Sequence, residues 1–178
     1  MERVLFVHNI FVLVVVFSLS AALLLKSAEG SDEPPLFKKN HLKYYVQLES
    51  GKPGNARSAE PINTTFSNNF GQSAIFAFNV TKSKSPTSKV LGFVRGYTVE
   101  TSYAANTLSL LEVEFLEYDD GRYSGTLQYQ GVVTMEGSQL AIAGGTGSFR
   151  GLQGYVVVSL ESKVEPFTTY RHDVTLLE

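Results

Sequence analysis

The sequence predicts an all-β protein, an eight-stranded antiparallel β-barrel preceded by a cleavable signal peptide. From residue 41 onwards, short segments rich in β-branched and aromatic residues alternate with clusters of Gly, Asn, Asp and Ser. No window after residue 30 carries a helical apolar repeat of ten or more residues. Eleven of the fifteen glycines lie between Gly92 and Gly154, and a glycine inside a strand, such as Gly96, permits the bulges that a closed barrel requires. We therefore favour a barrel over a β-sandwich.

The beginning of the chain is dominated by an apolar run, residues 10–25, which follows Arg3. This run is shorter than the roughly 20 residues that a membrane-spanning helix needs. Small residues that suit a signal peptidase end at Ala22 or Gly30. A cleaved signal peptide is the preferred interpretation, and an uncleaved anchor is the alternative. The predicted organisation is a signal peptide at 1–30, a flexible polar arm at 31–40 and a barrel domain at 41–178.

The composition excludes several classes of protein. A chain of 178 residues with 43% hydrophobic residues is too apolar for a disordered polyampholyte, and its length suits one domain with one core. Lys and Arg (15) do not exceed Asp and Glu (17), which argues against nucleic-acid binding by bulk charge. Cysteine is absent, so the chain has no disulfide, no thiolate metal site and no Cys nucleophile. In an exported chain, the sequons at Asn63 and Asn79 predict glycosylation.

Eight predicted strands follow one another with short connections. Between two of them, Asp119, Asp120 and Gly121 predict a hairpin turn in which Gly121 adopts a positive φ. The predicted strands are Leu42–Leu48, Ser73–Val80, Val90–Thr101, Leu108–Tyr118, Tyr123–Val133, Gln139–Ala143, Tyr155–Ser162 and Thr168–Leu177.

Two glutamates on one predicted strand are the clearest candidates for acid–base chemistry. Glu112 and Glu114 are two residues apart and share one face of the strand, so they could act as paired carboxylates inside a pocket. A solvated outer strand face is the preferred interpretation. Arg95, Tyr97 and Arg150 are ambiguous in the same way, because polar residues line the lumen of some barrels as easily as the outside.

Other catalytic and metal-binding patterns find little support. The glycine-rich stretch at 144–151 has Arg150 where a dinucleotide-binding loop has its third glycine, so a tight turn is the preferred interpretation. His41 and His172 come from opposite ends of the barrel domain, with no local spacing typical of a zinc site. No Gly-x-Ser-x-Gly sequence supports a serine triad.

Several stretches, in order and spacing, resemble the plant dirigent proteins. They are residues 91–96 (LGFVRG), 108–115 (LSLLEVEF), 120–126 (DGRYSGT) and 143–155 (AGGTGSFRGLQGY), with 41–45 (HLKYY) similar to the family's opening strand and 70–71 (FG) to a second family turn. The likeness covers roughly residues 40–177. Its most specific part is the structural motif of Gly144, Gly145, Thr146, Gly147, Phe149 and Gly154.

The resemblance implies a protein secreted to the plant cell-wall space (the apoplast) that forms a homo-oligomer, a dimer or trimer. It also implies a stereodirecting auxiliary rather than an enzyme: a separate laccase or peroxidase makes phenoxy radicals, and the barrel fixes how the radicals or derived quinone methides join. No cofactor, metal or nucleic acid is expected. The composition is consistent with a separate oxidase, because a chain without Cys or a convincing metal site has little means of one-electron oxidation.

The departures from the family pattern lie at positions that carry acids or hydrogen-bond donors in other members. The family's acid on the opening strand falls on Leu48 or Gln47, its tyrosine on Thr98, its arginine on Gln153 and its acid after the GGTG sequence on Ser148. No catalytic residue can therefore be transferred. The candidate pocket residues are Tyr97, Arg95, Thr98, Gln153, Gln47, Glu112 and Glu114.

Two other functions stay open beside stereodirected phenol coupling. One is a cofactor-independent cyclase or dehydratase of a quinone methide or oxylipin, with Glu112, Glu114 or Glu49 as acid or base; this requires the carboxylates to point into the lumen. The other is a non-catalytic defence module that binds a phenolic or a carbohydrate, which a narrow or filled lumen would favour.

Overall fold

Nine strands and one turn of 3-10 helix make up the regular structure of the computed structural model, which describes residues 33–177 except 53, 63–68, 105–106 and 135–136. The chain divides into two units, Met1–Glu33 and Pro34–Glu178, and all described strands belong to the second. The predicted signal peptide and the sequon at Asn63 lie outside the described residues. The strands are β1 His41–Glu49, β2 Asn55–Ala59, β3 Ser73–Thr81, β4 Val90–Glu100, β5 Ser109–Asp119, β6 Ser124–Thr134, β7 Gly137–Gly145, β8 Gln153–Val164 and β9 Phe167–Leu177, and the 3-10 turn is Gly147–Phe149.

The strands form one antiparallel sheet that closes on itself. Their order is β1-β9-β8-β7-β6-β5-β4-β3-β2, and β1 also pairs with β3 through Tyr45–Gln47 and Asn79–Thr81. Eight strands therefore close a barrel, and β2 is an extra strand on β3. The predicted barrel is confirmed, and its predicted strands correspond in order to β1 and β3–β9.

The extra strand β2 continues the line of β1 along β3 after the connection at 50–54. Asn55 pairs with Phe76, whereas the last β1 residue paired with β3 is Gln47, opposite Asn79. The ends of β1 and β2 thus separate, because Leu48 and Glu49 stay paired with β9. All five residues of β2 are exposed, and the sequence NARSA has no alternation that would predict a strand.

One end of the barrel, called the base below, is filled with apolar side chains. Leu116, Leu127 and Val174 are fully buried there, and the 3-10 turn inserts Phe149 among them. The segment predicted as a flexible arm contributes Phe37, whose N–H donates to the Ser148 carbonyl at 2.8 Å. The Phe37 ring packs against Phe149 at a centroid distance of 5.4 Å, so this end of the barrel is covered.

Strand β5 has its polar face inside the barrel and part of its apolar face outside. Glu114 is 5% exposed, whereas Leu111 and Phe115, which point the other way, are 42% and 40% exposed. This reverses the preferred interpretation of the glutamates as solvated outer residues. A barrel lumen can be polar, so alternation along a strand separates the two faces without saying which one is inside.

The described residues include no helix that is long and apolar enough to cross a membrane.

Candidate functional site

A cavity of about 620 Å³ occupies the half of the barrel opposite the base. It opens beside Leu108 and Leu160, which are both exposed, and this opening is called the mouth below. Its walls are mostly apolar and come from all eight barrel strands as well as from the start of β2. Apolar wall residues include Val46, Leu48, Phe76, Phe78, Leu110 and Val158, and wall residues with polar groups include Thr98, Glu112, Glu114, Tyr170 and His172.

The register of β4, β5 and β6 places a glycine opposite each of the two glutamates. Glu114 lies opposite Gly96 on β4, and Glu112 lies opposite Gly131 on β6. A Cβ atom at Gly96 would approach Phe76 Cζ to 2.7 Å and the Val113 carbonyl oxygen to 2.0 Å. A larger residue at that position would therefore disturb the wall beside Glu114.

Glu112 and Glu114 form a coupled carboxyl pair of unequal burial. Burial raises the pKa of Glu114 well above its usual range, and the nearby charge and hydrogen bond of Glu112 raise it further. Burial also raises the pKa of Glu112, but its hydrogen bond with Glu114 opposes that rise. Glu114 is the more deeply buried of the two. The pair therefore shares a proton that is held by Glu114 and donated to Glu112.

His172 lies behind the carboxyl pair and is neutral. Burial lowers the pKa of His172 to about 3, the charge of Asp173 opposing this shift. Its Nδ1 is 3.0 Å from the Tyr44 hydroxyl oxygen, a hydrogen bond in which the tautomer decides the donor. The same Nδ1 lies 3.9 Å from Glu114 Oε2. With a neutral imidazole and a protonated Glu114, this contact is not an ion pair.

Two buried tyrosines lie next to the buried site residues: Tyr44 contacts His172, and Tyr129 pairs with Glu114 across β5 and β6. Burial raises the pKa of both Tyr44 and Tyr129, so both phenols are neutral at ordinary pH. Tyr129 Oη lies near the Tyr44 hydroxyl but has no hydrogen-bond partner of normal geometry. Glu114 Oε2 is also buried without a donor. Two buried polar atoms thus have unused hydrogen-bonding capacity, and of the two residues that carry them Glu114 lines the cavity.

Chemically, the site offers a proton donor, a proton acceptor and an apolar wall. Glu114 can give a proton to a ligand oxygen, and Glu112 can accept one at the same place. The Phe76 and Phe78 rings are nearly parallel with centroids 5.4 Å apart, and both line the cavity. An aromatic ligand with an oxygen at its inner end is complementary to this arrangement.

Three of the seven candidate pocket residues line the cavity, namely Thr98, Glu112 and Glu114. Arg95 and Tyr97 do not: Arg95 binds Glu117 on the outer surface at 3.0 Å, and Tyr97 is 45% exposed. They are outside because positions 95 and 97 alternate with the inward Gly96 and Thr98.

The two candidate glutamines also lie outside the cavity. Gln47 is buried on the outer side of β1, where Nε2 donates to Thr81 Oγ1 at 2.9 Å and Oε1 accepts from Thr169 Oγ1 at 2.8 Å. Gln153 is exposed and borders a separate shallow groove together with Gly144 and Leu177. Gln47 therefore links three strands, and Gln153 belongs to another surface.

The glycine-rich motif forms the turn that carries Phe149 into the base. Gly147 has a φ of +59°, and a Cβ atom at Gly145 would come within 2.3 Å of the Phe149 carbonyl oxygen. The hydroxyl oxygens of Thr126 and Thr146 are 2.7 Å apart beside this turn. The motif thus lies at the opposite end of the barrel from the mouth.

Sequence reasoning missed the residues behind the carboxyl pair. His172 was considered only as a zinc ligand with His41, but His41 is exposed on the outside of β1. Tyr44, Tyr129 and Tyr170 alternate inward on their strands, and that periodicity was visible in the sequence. The sequence did not show which face of each strand points into the barrel. Asn79, the described sequon residue, is exposed on β3.

The fold and cavity define an antiparallel β-barrel whose interior cavity is open at one end. The family model described as Dirigent-like protein matches residues 39–177, and the chain belongs to this family. The predicted family is confirmed.

Solved structures of similar fold include two pterocarpan synthase dirigent proteins. The first is 25% identical, with a TM-score of 0.66, and the match covers 80% of this chain and 98% of that one. The second is 24% identical, with a TM-score of 0.64 and coverages of 76% and 82%. A pyocyanin demethylase, 16% identical with a TM-score of 0.55 and coverages of 77% and 99%, shares the fold. No match was found among the curated proteins.

Proposed function

We propose that this protein holds a phenolic intermediate in its cavity and directs the stereochemistry of the next bond. The intermediate is a phenoxy radical or the derived quinone methide, of the lignan or phenylpropanoid type, and a separate laccase or peroxidase generates it. The observation that carries the proposal is the one-ended apolar cavity with the Glu112–Glu114 pair at its inner end. Membership of the dirigent-like family supports it.

Stereocontrol requires only modest energy differences. A tenfold excess of one product needs about 1.4 kcal/mol between competing transition states. Ring contacts with Phe76 and Phe78, at roughly 0.5–1.5 kcal/mol each, are of that size. When a ligand binds, the Glu114 proton turns from Glu112 to the phenolic or quinone oxygen, and this hydrogen bond fixes which end of the ligand is innermost. Holding a reactant in one orientation is then sufficient to expose one face.

The test oxidises coniferyl alcohol, and a panel of other phenols, with a one-electron oxidant in the presence and absence of the protein. We expect an enantiomeric excess for at least one phenol, measured by chiral chromatography. Leu110→Trp, which places a ring in the cavity, should abolish the excess, whereas Tyr97→Phe on the outer surface should retain it. Racemic product with every phenol would contradict the proposal.

The carboxyl pair supports a second candidate, a cofactor-independent cyclase or dehydratase of a quinone methide or oxylipin. In a dehydration, Glu114 would protonate the leaving hydroxyl, which departs as water, while Glu112 takes the proton lost by the substrate. Such an enzyme turns over substrate without any oxidant, which separates it from the first candidate. Product formation without oxidant, lost in Glu112→Gln, would favour it. The two pterocarpan synthase dirigent proteins show that this fold also carries proteins named as synthases.

A non-catalytic defence module is the weakest of the candidates, since a narrow or filled lumen was the feature that would favour it. The cavity of about 620 Å³ is instead within the usual range of ligand sites, about 300–1,000 Å³. An intact-mass measurement that shows a phenolic retained by the protein after incubation with plant wall extracts, together with no effect on product ratios, would favour it again.

The proposed setting is the plant apoplast, with Asn79 glycosylated and the protein assembled as a homo-oligomer. The outer face of β3–β5 carries large apolar side chains that are 40–54% exposed, including Ile75, Tyr97, Leu111 and Phe115. These strands are neighbours, so the side chains share one face of the sheet, and a second copy of the chain is the occupant proposed for it. An unchanged gel mobility after treatment with a deglycosylating enzyme would contradict the glycosylation. A monomer in size-exclusion chromatography at micromolar concentration would contradict the assembly.

A further inference from the structure

A second concave site lies on the outside of the barrel at its base. Its volume is about 440 Å³, and it is bordered by the end of the N-terminal arm, the start of β1, the β3–β4 connection and the end of β5. None of its residues lines the cavity that opens at the mouth. Any ligand here would therefore bind independently of the lumen.

This base site is strongly basic although the whole chain has a net charge of −2. Its lining includes the side chains of Lys39, Lys43, Lys82 and Lys89, against one carboxylate, Asp120. The excess of positive charge is local, because the fold brings together two distant stretches of the chain: Lys39 and Lys43 come from one, and Lys82 and Lys89 come from the β3–β4 connection.

The Asp120 carboxylate is already committed to its own turn. Its Oδ1 accepts from the backbone N–H groups of Arg122 and Tyr123 at 2.8 and 2.9 Å, and its Oδ2 accepts from the Tyr118 hydroxyl at 3.2 Å. These backbone bonds hold the pKa of Asp120 low despite its partial burial. Lys89 Nζ donates to the Asp120 backbone oxygen at 3.0 Å, not to the carboxylate.

Two of the lysines have no carboxylate partner among the described residues. Lys43 Nζ is 3.4 Å from Asp173, but no described acid lies within salt-bridge distance of Lys39 or Lys82. Both are exposed. Their ammonium groups are therefore available to an anionic ligand.

We propose that the base site binds an acidic oligosaccharide, a chain of uronic acid residues. Lysines are point charges, and here they are dispersed around a concavity rather than arranged as the planar fork that favours a single phosphate. Dispersed charges match carboxylates carried on successive sugar rings. The half-buried Tyr45 lines the same site and provides apolar contact for the carbon-bound hydrogens of a sugar, whereas the other two aromatic lining residues, Phe37 and Tyr118, are buried.

The test measures fluorescence polarisation of a labelled, α-1,4-linked galacturonate hexamer titrated with the protein at low ionic strength. Saturable binding is expected, and it should weaken when salt is raised to 0.15 M, because the sites are exposed and screened. The double variant Lys39→Gln/Lys82→Gln should weaken binding about 2- to 30-fold, as expected for the loss of two exposed ion pairs.

The matched control is Lys52→Gln/Lys163→Gln, which removes the same charge near the mouth, in the β1–β2 connection and at the end of β8. It should bind the hexamer like the unmodified protein, which separates a site from bulk charge. Both doubles replace exposed lysines, so circular dichroism should show unchanged folding.

Four outcomes would overturn the inference. They are equal weakening in the control double, equal binding of a neutral galactose hexamer, complete competition by sulfate at matched carboxylate concentration, and binding to phosphatidylserine vesicles without binding to the hexamer. Failure of this test would leave the proposal for the lumen untouched, since phenol coupling is measured in the absence of any sugar.

Discussion

Glu112 and Glu114 are separated by one residue on β5, yet their depths in the barrel give them different protonation. Glu114 faces buried neighbours and keeps its proton, whereas Glu112 is nearer the mouth and accepts a hydrogen bond from it. The sequence predicted that the two carboxyls share a face. It could not predict that this face is the inner one, because alternation is symmetric and the outward residues are themselves apolar.

The buried Glu114 should make the protein less stable as pH rises. Above the usual carboxyl pKa, the unfolded chain releases this proton while the folded chain retains it, so the folded state holds more protons and its stability falls with pH. Glu114→Gln removes this cost. We expect a higher melting temperature for the variant at pH 8, by roughly 2–8 °C per kcal/mol gained, with the difference shrinking towards pH 4.

His172 produces the opposite slope in the same experiment, so both proteins must be compared at each pH. Its pKa is about 3 when folded and 6.5 in the reference state, so stability rises with pH between those values. That contribution is common to both proteins and cancels in the difference. Glu117→Gln, on the outer surface, is the control and should show no such pH-dependent gain. An equal gain from Glu114→Gln at pH 4 and pH 8 would contradict the assignment.

Tyr44→Phe should destabilise the protein through His172. The variant removes a hydroxyl 3.0 Å from a fully buried ring nitrogen and leaves that nitrogen without its partner. The expected loss is about 1–3 kcal/mol in the free energy of unfolding, measured by urea denaturation. Tyr97→Phe, which removes an exposed hydroxyl, should change it by less than about 0.5 kcal/mol. Equal effects of the two variants would rule out the proposed role of the buried hydrogen bond.

At the scale of elements, the strands were predictable because β-branched and aromatic runs are bounded by turn residues. The eight barrel strands lie close to their predicted bounds, and Gly121 has the predicted positive φ of +93°. Strand β2 was not predictable, since its polar residues pair only because β3 extends past the point where β1 leaves it. The anchoring role of Phe37 was missed for the same reason: a partner more than a hundred residues away decides it.

The glycine near the start of β4 is required by two constraints at once. Gly92 has a φ of +146°, and a Cβ atom there would lie 1.9 Å from the Glu117 carbonyl oxygen. Gly92→Ala should therefore cost more than about 3 kcal/mol in the free energy of unfolding. Gly121→Ala isolates backbone strain alone, because no atom lies within 4 Å of the added Cβ, and should cost about 1–2 kcal/mol. Equal losses in chemical denaturation would show that the close approach to β5 is unimportant.

For the whole molecule, the reversed polarity of β5 predicts assembly. Apolar side chains that a monomer would expose on β3–β5 are expected to be covered by a second copy. Ile75→Glu/Leu111→Glu should lower the molar mass measured by light scattering after size exclusion to that of a monomer, with folding retained because both side chains point outward. Val157→Glu, on the outside of β8, is the control and should keep the assembled mass. Dissociation by the Val157 variant alone would place the interface elsewhere.

The covered base has a further consequence for any ligand of the lumen. Because Phe37 and Phe149 close one end, a ligand enters and leaves the cavity through the mouth. Two reactant molecules cannot approach the carboxyl pair from opposite sides. They enter one behind the other along the barrel axis, and the first to enter is the last to leave. In a coupling reaction, the order of arrival would therefore decide which partner is held by Glu114 and which one offers its exposed face to the newcomer.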